Sequence, residues 1–246
     1  MRIPIMRGTI DRRILVNYRV DPHVLSPILP NPFRPQIMNG YGIAGICLIR
    51  LKNIRPQFLP AFAGIGSENA AHRIAVEWEQ SDEPHVGVYV PRRDTSSRLN
   101  TLAGGRFFPG VHHHARFQTD EGDGRYCVQL DSLDGDTHVR VEGRVADSPP
   151  GTSIFTSMEE ASAFFEGGSL GYSATACPGE YDGLELRTLK WHMDPLRVEK
   201  VESSFFEDRS KFPPGSVVFD SAFLMRSIDH EWHGRPTLSG EACEVH

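Results

Sequence analysis

Apolar side chains recur at every second position in one segment after another of this chain. Ile14, Val16 and Tyr18 are interleaved with Arg13, Asn17 and Arg19, and Ile74, Val76 and Trp78 point away from Arg73, Glu77 and Glu79. Val86, Val88 and Val90 repeat the pattern after Pro84. Successive side chains of an extended strand point to opposite faces, so this alternation suits strands with one apolar face and does not suit helices. Tyr126, Val128 and Leu130 mirror Val139, Val141 and Val145 across Asp134-Gly135, which predicts a hairpin. Ile43 to Leu51 is mostly apolar, as a buried strand would be. Leu184 with Leu186, Trp191 with Met193, and Val217 to Met225 supply further strands.

Helical signals are few and short. Asp21-Pro22 offers an N-cap with proline in the first turn, and Val24, Leu25, Ile28 and Leu29 then share a face until Pro30, Pro32 and Pro35 stop the helix. Asp94 stands before Leu99, Leu102 and Ala103, with Gly104-Gly105 as the expected stop. Ser157 and Glu160 have capping-box spacing ahead of Ala161, Phe164 and Phe165, and Gly167-Gly168 ends that turn. About nine or ten strands and three short helices predict an α+β, β-rich architecture: a large curved antiparallel sheet with helices packed outside. No internal repeat or low-complexity linker interrupts residues 1–246, so a single domain is expected.

Composition narrows the functional classes. At 246 residues, 39% hydrophobic and 24% charged, the chain has the make-up of an ordinary soluble protein. A net charge of −6 argues against a nucleic-acid backbone or an anionic membrane as the main partner. No apolar run approaches the roughly 18 residues of a membrane span. Met1 to Arg7 lacks a continuous apolar signal core, and a cytoplasmic protein is expected. Cys47, Cys127, Cys177 and Cys243 form no CxxC pair, which leaves reduced, mostly buried thiols. Any amine nucleophile must be Lys52, Lys190, Lys200 or Lys211.

Several short motifs then fall in a recognisable order. They are Tyr18-Arg19-Val20-Asp21-Pro22 with Leu29-Pro30, Gly87-Val88-Tyr89, Phe108-Pro109-Gly110 leading into His114-Ala115-Arg116, Phe164-Phe165-Glu166, and Tyr172 to Arg187. Together they resemble the YqjF-like family, known as domain of unknown function 2071, over nearly the whole chain. Pro91 to Phe117 also resembles the acetoacetate decarboxylase-like superfamily, in which an aromatic-Pro step leads into the strand bearing the active site. The resemblance implies an acetoacetate decarboxylase-like, antiparallel cone-shaped barrel with a few short peripheral helices, a ligand pocket and a homo-oligomer. Decarboxylases of that superfamily follow the aromatic-Pro step with adjacent lysines, one of which forms a Schiff base with the β-keto acid. Here Gly110-Val111 occupy those positions, and Cys47 falls where the decarboxylases carry a glutamate. The resemblance therefore carries the fold without the lysine-dependent decarboxylation.

The residues that remain suggest other chemistry. In His112-His113-His114, strand geometry places His112 and His114 on one face and His113 on the other. His112 and His114 can supply acid–base groups to a pocket, or two ligands to a zinc-like ion, with Glu77, Glu79, His72 or Glu142 as further candidates. Glu77 is grouped with the two histidines as a catalytic candidate; no cofactor or resident metal is expected. Arg19, Arg50, Arg73, Arg98 and Arg116 lie in otherwise apolar regions, where a guanidinium needs a carboxylate partner. Arg116, Arg19, Arg73 and Arg98 are the candidate anchors for an acidic ligand, Arg116 foremost because it shares a face with His114; each could instead be an internal ion pair or a solvated strand face. His230-Glu231-Trp232-His233 precedes a Gly-Arg-Pro sequence and is expected in an exposed hairpin or tail. The leading reading is a pocket for a small organic acid. Alternatives are a metal-dependent hydrolase or lyase using His112 and His114, a Schiff-base lyase using a displaced amine such as Lys190, and a non-catalytic oligomeric binding or scaffold protein.

Overall fold

The computed structural model describes residues 4–103 and 110–240. The Gly104-Gly105 stop and the Phe108-Pro109 step lie outside the described residues. The chain begins with β1 (Met6–Val20), then α1 (Pro22–Leu25), β2 (Arg34–Pro35), β3 (Ile37–Met38), β4 (Tyr41–Pro56), β5 (Ile65–Gln80), β6 (Glu83–Thr95) and α2 (Arg98–Ala103). It continues with β7 (His112–Gly122), β8 (Arg125–Ser132), β9 (His138–Val145), α3 (Met158–Gly167), β10 (Leu170–Ala174), β11 (Glu180–Thr188), β12 (Asp194–Ser203), α4 (Ser204–Glu207) and β13 (Val217–Ser239).

The alternating segments, Trp191 with Met193 excepted, become strands, and they join one 13-stranded sheet. The predicted hairpin is β8–β9, with Val128 opposite Val141 and Leu130 opposite Val139. The sheet is mainly antiparallel, but β6 pairs in parallel with both β7 and β10, a departure from the all-antiparallel expectation. Those two parallel pairings let the sheet close twice. One ring runs β1-β4-β5-β6-β7-β8-β9-β12-β13 and back to β1. The other leaves β6 through β10 and β11 and returns to β13. The 23-residue β13 serves both, pairing β12 at Leu224 and Phe223 and β11 from His230 onward.

Strands β13, β1, β4, β5 and β6 thus form a wall common to two rings, buried on both faces. Ile14, Val16, Ile46, Leu48, Ile74, Ala222 and Leu224 belong to one core. Leu15, Cys47, Ala75, Phe223 and Met225 point the other way, into a second core closed by Ala161 and Phe165 of α3. The α3 N-terminus is the predicted cap: Ser157 Oγ accepts from the Glu160 backbone N–H at 3.2 Å, and Glu160 accepts from the Thr156 N–H at 2.6 Å. Asp21 likewise caps α1 by accepting from the His23 N–H.

Asp94, just ahead of α2, is a fully buried member of β6 whose carboxylate takes hydrogen bonds from Arg92. Two local expectations change. Trp191 and Met193 lie in the irregular stretch before β12, where the Trp191 indole donates to Ser162 Oγ of α3 at 2.9 Å. His230 to His233 form no exposed tail: they continue β13, and His230 is 2% exposed because β1 and β11 flank it.

Candidate functional site: a cationic chamber behind the common wall

Register places the second face of the common wall residue by residue. Paired residues of neighbouring strands lie about 5 Å apart and point the same way. One row across the wall is Phe223, Leu15, Cys47, Ala71, Arg93 and His112. The row on one side of it is Met225, Arg13, Ile49, Asn69, Thr95 and His114. The row on the other side contains Ser221, Asn17, Gly45 and Arg73. Rows on one face are about 7 Å apart, two residues of strand rise. Arg13, Arg73 and Arg93 therefore surround Cys47, and the small residues Gly45 and Ala71 beside it leave the space for long side chains.

None of the three guanidiniums meets a carboxylate of the described residues within 4 Å. Arg13 is buried; its Nε donates to Cys47 Sγ at 3.3 Å, its Nη1 to Met225 Sδ at 3.8 Å, and it lies 5.9 Å from the Trp191 ring centre. Arg73 is buried, donates from Nη2 to Asn17 Oδ1 at 2.6 Å and lies 5.0 Å from the Phe165 ring centre. Half-buried Arg93 donates from Nε to Ser173 Oγ at 3.0 Å. Burial pulls Arg73 down to about 10, with the nearby Cys47 sulfur opposing the fall and Arg13 adding to it. Burial brings Arg93 to about 10 as well, again against Cys47. Both remain cationic at neutral pH.

The chamber opens into a cleft of about 80 Å3 lined by Arg93, His112, Ala71, Ile49, Leu184 and Trp232. A water molecule's share of liquid volume is about 30 Å3, so the cleft has room for a molecule of a few heavy atoms. At the α3 end, a crevice touches Arg73, Phe164, Phe165 and Gly168. His112 Nδ1 lies 3.2 Å from the Gly110 carbonyl oxygen, to which it donates in the tautomer that leaves the lone pair on Nε2. Burial, reinforced by Arg93, pulls His112 down to about 4, so the ring is neutral near pH 7 and only weakly basic. Burial also brings His230 to about 4, the Ile228 backbone opposing and Arg13 assisting.

The structure gathers some of the sequence candidates and disperses others. Arg73 and His112 are in the chamber wall, and His114 is in the adjoining row. Glu77 is separated from them: it sits six positions along β5 from Ala71, about 20 Å at strand rise, and cannot share a reaction centre with His112. Arg116 is exposed, because the β6–β7 pairing ends at His114 and β7 then runs past the chamber. Arg19 donates to the Thr152 carbonyl oxygen and faces Asp220 at 3.7 Å, while Arg98 is exposed on α2. Arg50 shares Glu68 and Glu121 with buried Arg12, an ion network tying β1, β4, β5 and β7 together.

The proposed extra ligands do not converge either. His72 points to the opposite face and stacks on Phe205, Glu79 pairs with Arg34, and Glu142 pairs with Arg140 and Arg125. Among the described residues no three His, Cys, Asp or Glu side chains gather to hold a metal ion. Sequence reasoning missed Arg13, Arg93 and Cys47 as a group. Arg13 was legible only as the polar side of an alternating strand, and the signal that could have found the cluster was Cys47 standing in an apolar strand where a superfamily acid is expected.

This double ring is a known architecture. The chain superposes on acetoacetate decarboxylase from Legionella pneumophila with a TM-score of 0.63 at 11% identity, covering 97% of this chain and 89% of that one. An acetoacetate decarboxylase-like enzyme from Sphingomonas wittichii gives 0.60 at 12% identity, with 97% and 94% covered. The enduracididine biosynthesis enzyme MppR complexed with pyruvate gives 0.60 at 14% identity, with 98% and 93% covered. The fold is thus that of the acetoacetate decarboxylase-like superfamily. The DUF2071 family model, described as an uncharacterized conserved protein, matches residues 8–214, and the chain belongs to that family. Curated protein sequences give no match.

Proposed function

We propose that the chain binds a small organic acid in the chamber, its carboxylate held by Arg13, Arg73 and Arg93, and that it does not carry out lysine-dependent decarboxylation. The observation that carries this reading is the arginine cluster itself. Three guanidiniums on one interior face have sulfur, amide, hydroxyl and aromatic neighbours, with no carboxylate of the described residues in contact. Cations left without a counter-charge in a low-dielectric interior cost several kcal/mol each, and an incoming carboxylate offsets that cost with charge-assisted hydrogen bonds. The pyruvate complex of the fold relative MppR makes a 2-oxo acid the first ligand to try.

Two observations support the absence of Schiff-base chemistry. All four lysines are exposed, Lys190 in the loop after β11 among them. Gly110 has φ +86°, and a Cβ there would come within 2.7 Å of Ser173 Cβ, which leaves no room for a side chain. His112, neutral and beside Arg93, is the group placed to exchange protons with a bound acid. A homo-oligomer in the cytoplasm is the proposed setting.

Calorimetric titration of the purified protein with pyruvate and acetoacetate tests the reading. Binding that weakens more than about tenfold in Arg73→Met is the expected result. Heat that is unchanged in Arg73→Met and in Arg13→Met would overturn the carboxylate site. Borohydride added with acetoacetate should leave the mass unchanged, and a trapped adduct on any lysine would overturn the second half. Native mass spectrometry reads both the assembly and any co-purified acid.

A further inference from the structure

We propose that Cys47 is the nucleophile of the chamber and that the ligand class is narrower than organic acids in general: a small carboxylate bearing an electrophilic carbon next to the acid group, such as a 2-oxo acid. The inference rests on the carboxylate reading above and adds a covalent step to it. Cys47 is central in the wall, between Leu15 and Ala71 in its own row, with Arg13, Arg73 and Arg93 around it. Cys47 is buried, 8% exposed, and Ala71 beside it and Arg93 one strand further along its row line the cleft. The Arg13 Nε–H points at Sγ from 3.3 Å. A sulfur that accepts a guanidinium N–H has a counter-charge in place for the anion through which thiol chemistry passes. A carboxylate docked on Arg93 in the cleft lies on the same face of the wall as that sulfur.

The other thiols of the described residues make the contrast. Cys127 is half-buried, and Cys177 is exposed with its backbone N–H bonded to Thr175. Neither has an arginine hydrogen-bonded to its sulfur among the described residues. A structural cysteine in an apolar strand needs no cation beside it, and valine or alanine would fill the site without drawing guanidiniums into the interior.

The step balances without an oxidant or reductant. The sulfur–carbon bond forms as the carbonyl π pair moves onto oxygen, and the proton lost by the thiol ends on that oxygen, giving a reversible thiohemiketal. Irreversible probes report the same geometry. With iodoacetate or iodoacetamide the sulfur–carbon bond forms, the carbon–iodine bond breaks, iodide leaves and the thiol proton passes to solvent.

Time-resolved peptide mass spectrometry of the intact protein, treated with iodoacetate or with iodoacetamide, distinguishes the outcomes. The expected result is that iodoacetate modifies Cys47 at least about tenfold faster than iodoacetamide, since a cationic cleft concentrates the anionic reagent. Cys177 should show no such preference. Pyruvate should protect Cys47, and Arg93→Met should abolish the preference while the circular-dichroism spectrum stays that of the parent. If Cys47 resists both reagents while pyruvate still binds by calorimetry, the nucleophile is overturned and the carboxylate site stands. If Cys47 reacts equally with both reagents and pyruvate gives no protection, the carboxylate site fails and the inference fails with it.

Discussion

The two faces of the common wall are built from alternate residues of the same strands, yet they differ sharply. On one face, Leu224, Ile14 and Leu48 form a row, and Ala222, Val16 and Ile46 form the next, every one of them 0% exposed. On the other, set one residue out of step, stand Arg13, Asn17, Cys47 and Arg73, also buried but polar. A strand alternating between apolar and polar residues ordinarily faces core and water. Here the polar side faces a second interior, because β10, β11 and α3 close over it. The first face supplies cohesion. The second gives up cohesion to hold charge, a local conflict of the kind that marks functional sites in otherwise consistent folds.

The largest expected effect lies on the apolar face. Leu48→Ala should lower unfolding stability by about 2–5 kcal/mol in urea titration, through lost transfer energy and the cavity left behind. A loss under about 1 kcal/mol would show that this face is not the close-packed one.

Acid should act on both faces next, most deeply through His72. His72, on the first face, has its Nε2 3.5 Å from Ser203 Oγ, packs on Phe205 and Phe206, and is held down to about 3 by burial, Arg92 and Lys211. Its folded value is below the ordinary 6.5, so from pH 6.5 downward the unfolded chain takes up a proton that the folded chain refuses. Stability then falls by about 1.4 kcal/mol per pH unit for this residue, until the folded group itself protonates near pH 3. His230 adds a loss of the same sign between 6.5 and about 4. Urea midpoints at pH 7 and pH 5 should show a smaller acid loss in His72→Phe than in the parent. An equal loss would mean that His72 is not the group refusing protons.

A third measurement addresses the polar face directly. Arg73→Met removes a buried cation that lacks a carboxylate partner, so stability should stay the same or rise by about 1 kcal/mol, the opposite sign to Leu48→Ala. A fall of more than about 2 kcal/mol would place Arg73 among the structural groups. Smallest is the exterior control: Arg34→Ala breaks an exposed pair with Glu79 and should change stability by less than about 1 kcal/mol.

Much of the fold was legible because side-chain period reports backbone geometry directly. The β8–β9 hairpin register and the α3 capping box follow from local chemistry and appear where the sequence puts them. The tie of Asp94 to Arg92 is a strand-face contact that local spacing does not encode. The chamber was legible only in part. Arg73 and His112 stood out singly, but their grouping with Arg13, Arg93 and Cys47 depends on which strands neighbour which. Arg116 and Glu77 failed for the same reason: sharing a face along a strand says nothing about where that strand leaves its neighbour.

The length of β13 has a consequence for how the molecule comes into being. Its residues pair with β1, as in Ile14 with Leu224, and the same strand completes both rings through β12 and β11. While β13 is still unmade or unplaced, β1 and β11 each present a bare hydrogen-bonding edge, and neither interior can be sealed. A partly synthesised chain is therefore an open ribbon with adhesive borders, exposed to pairing with its neighbours, and it becomes two enclosed spaces when a single late strand arrives.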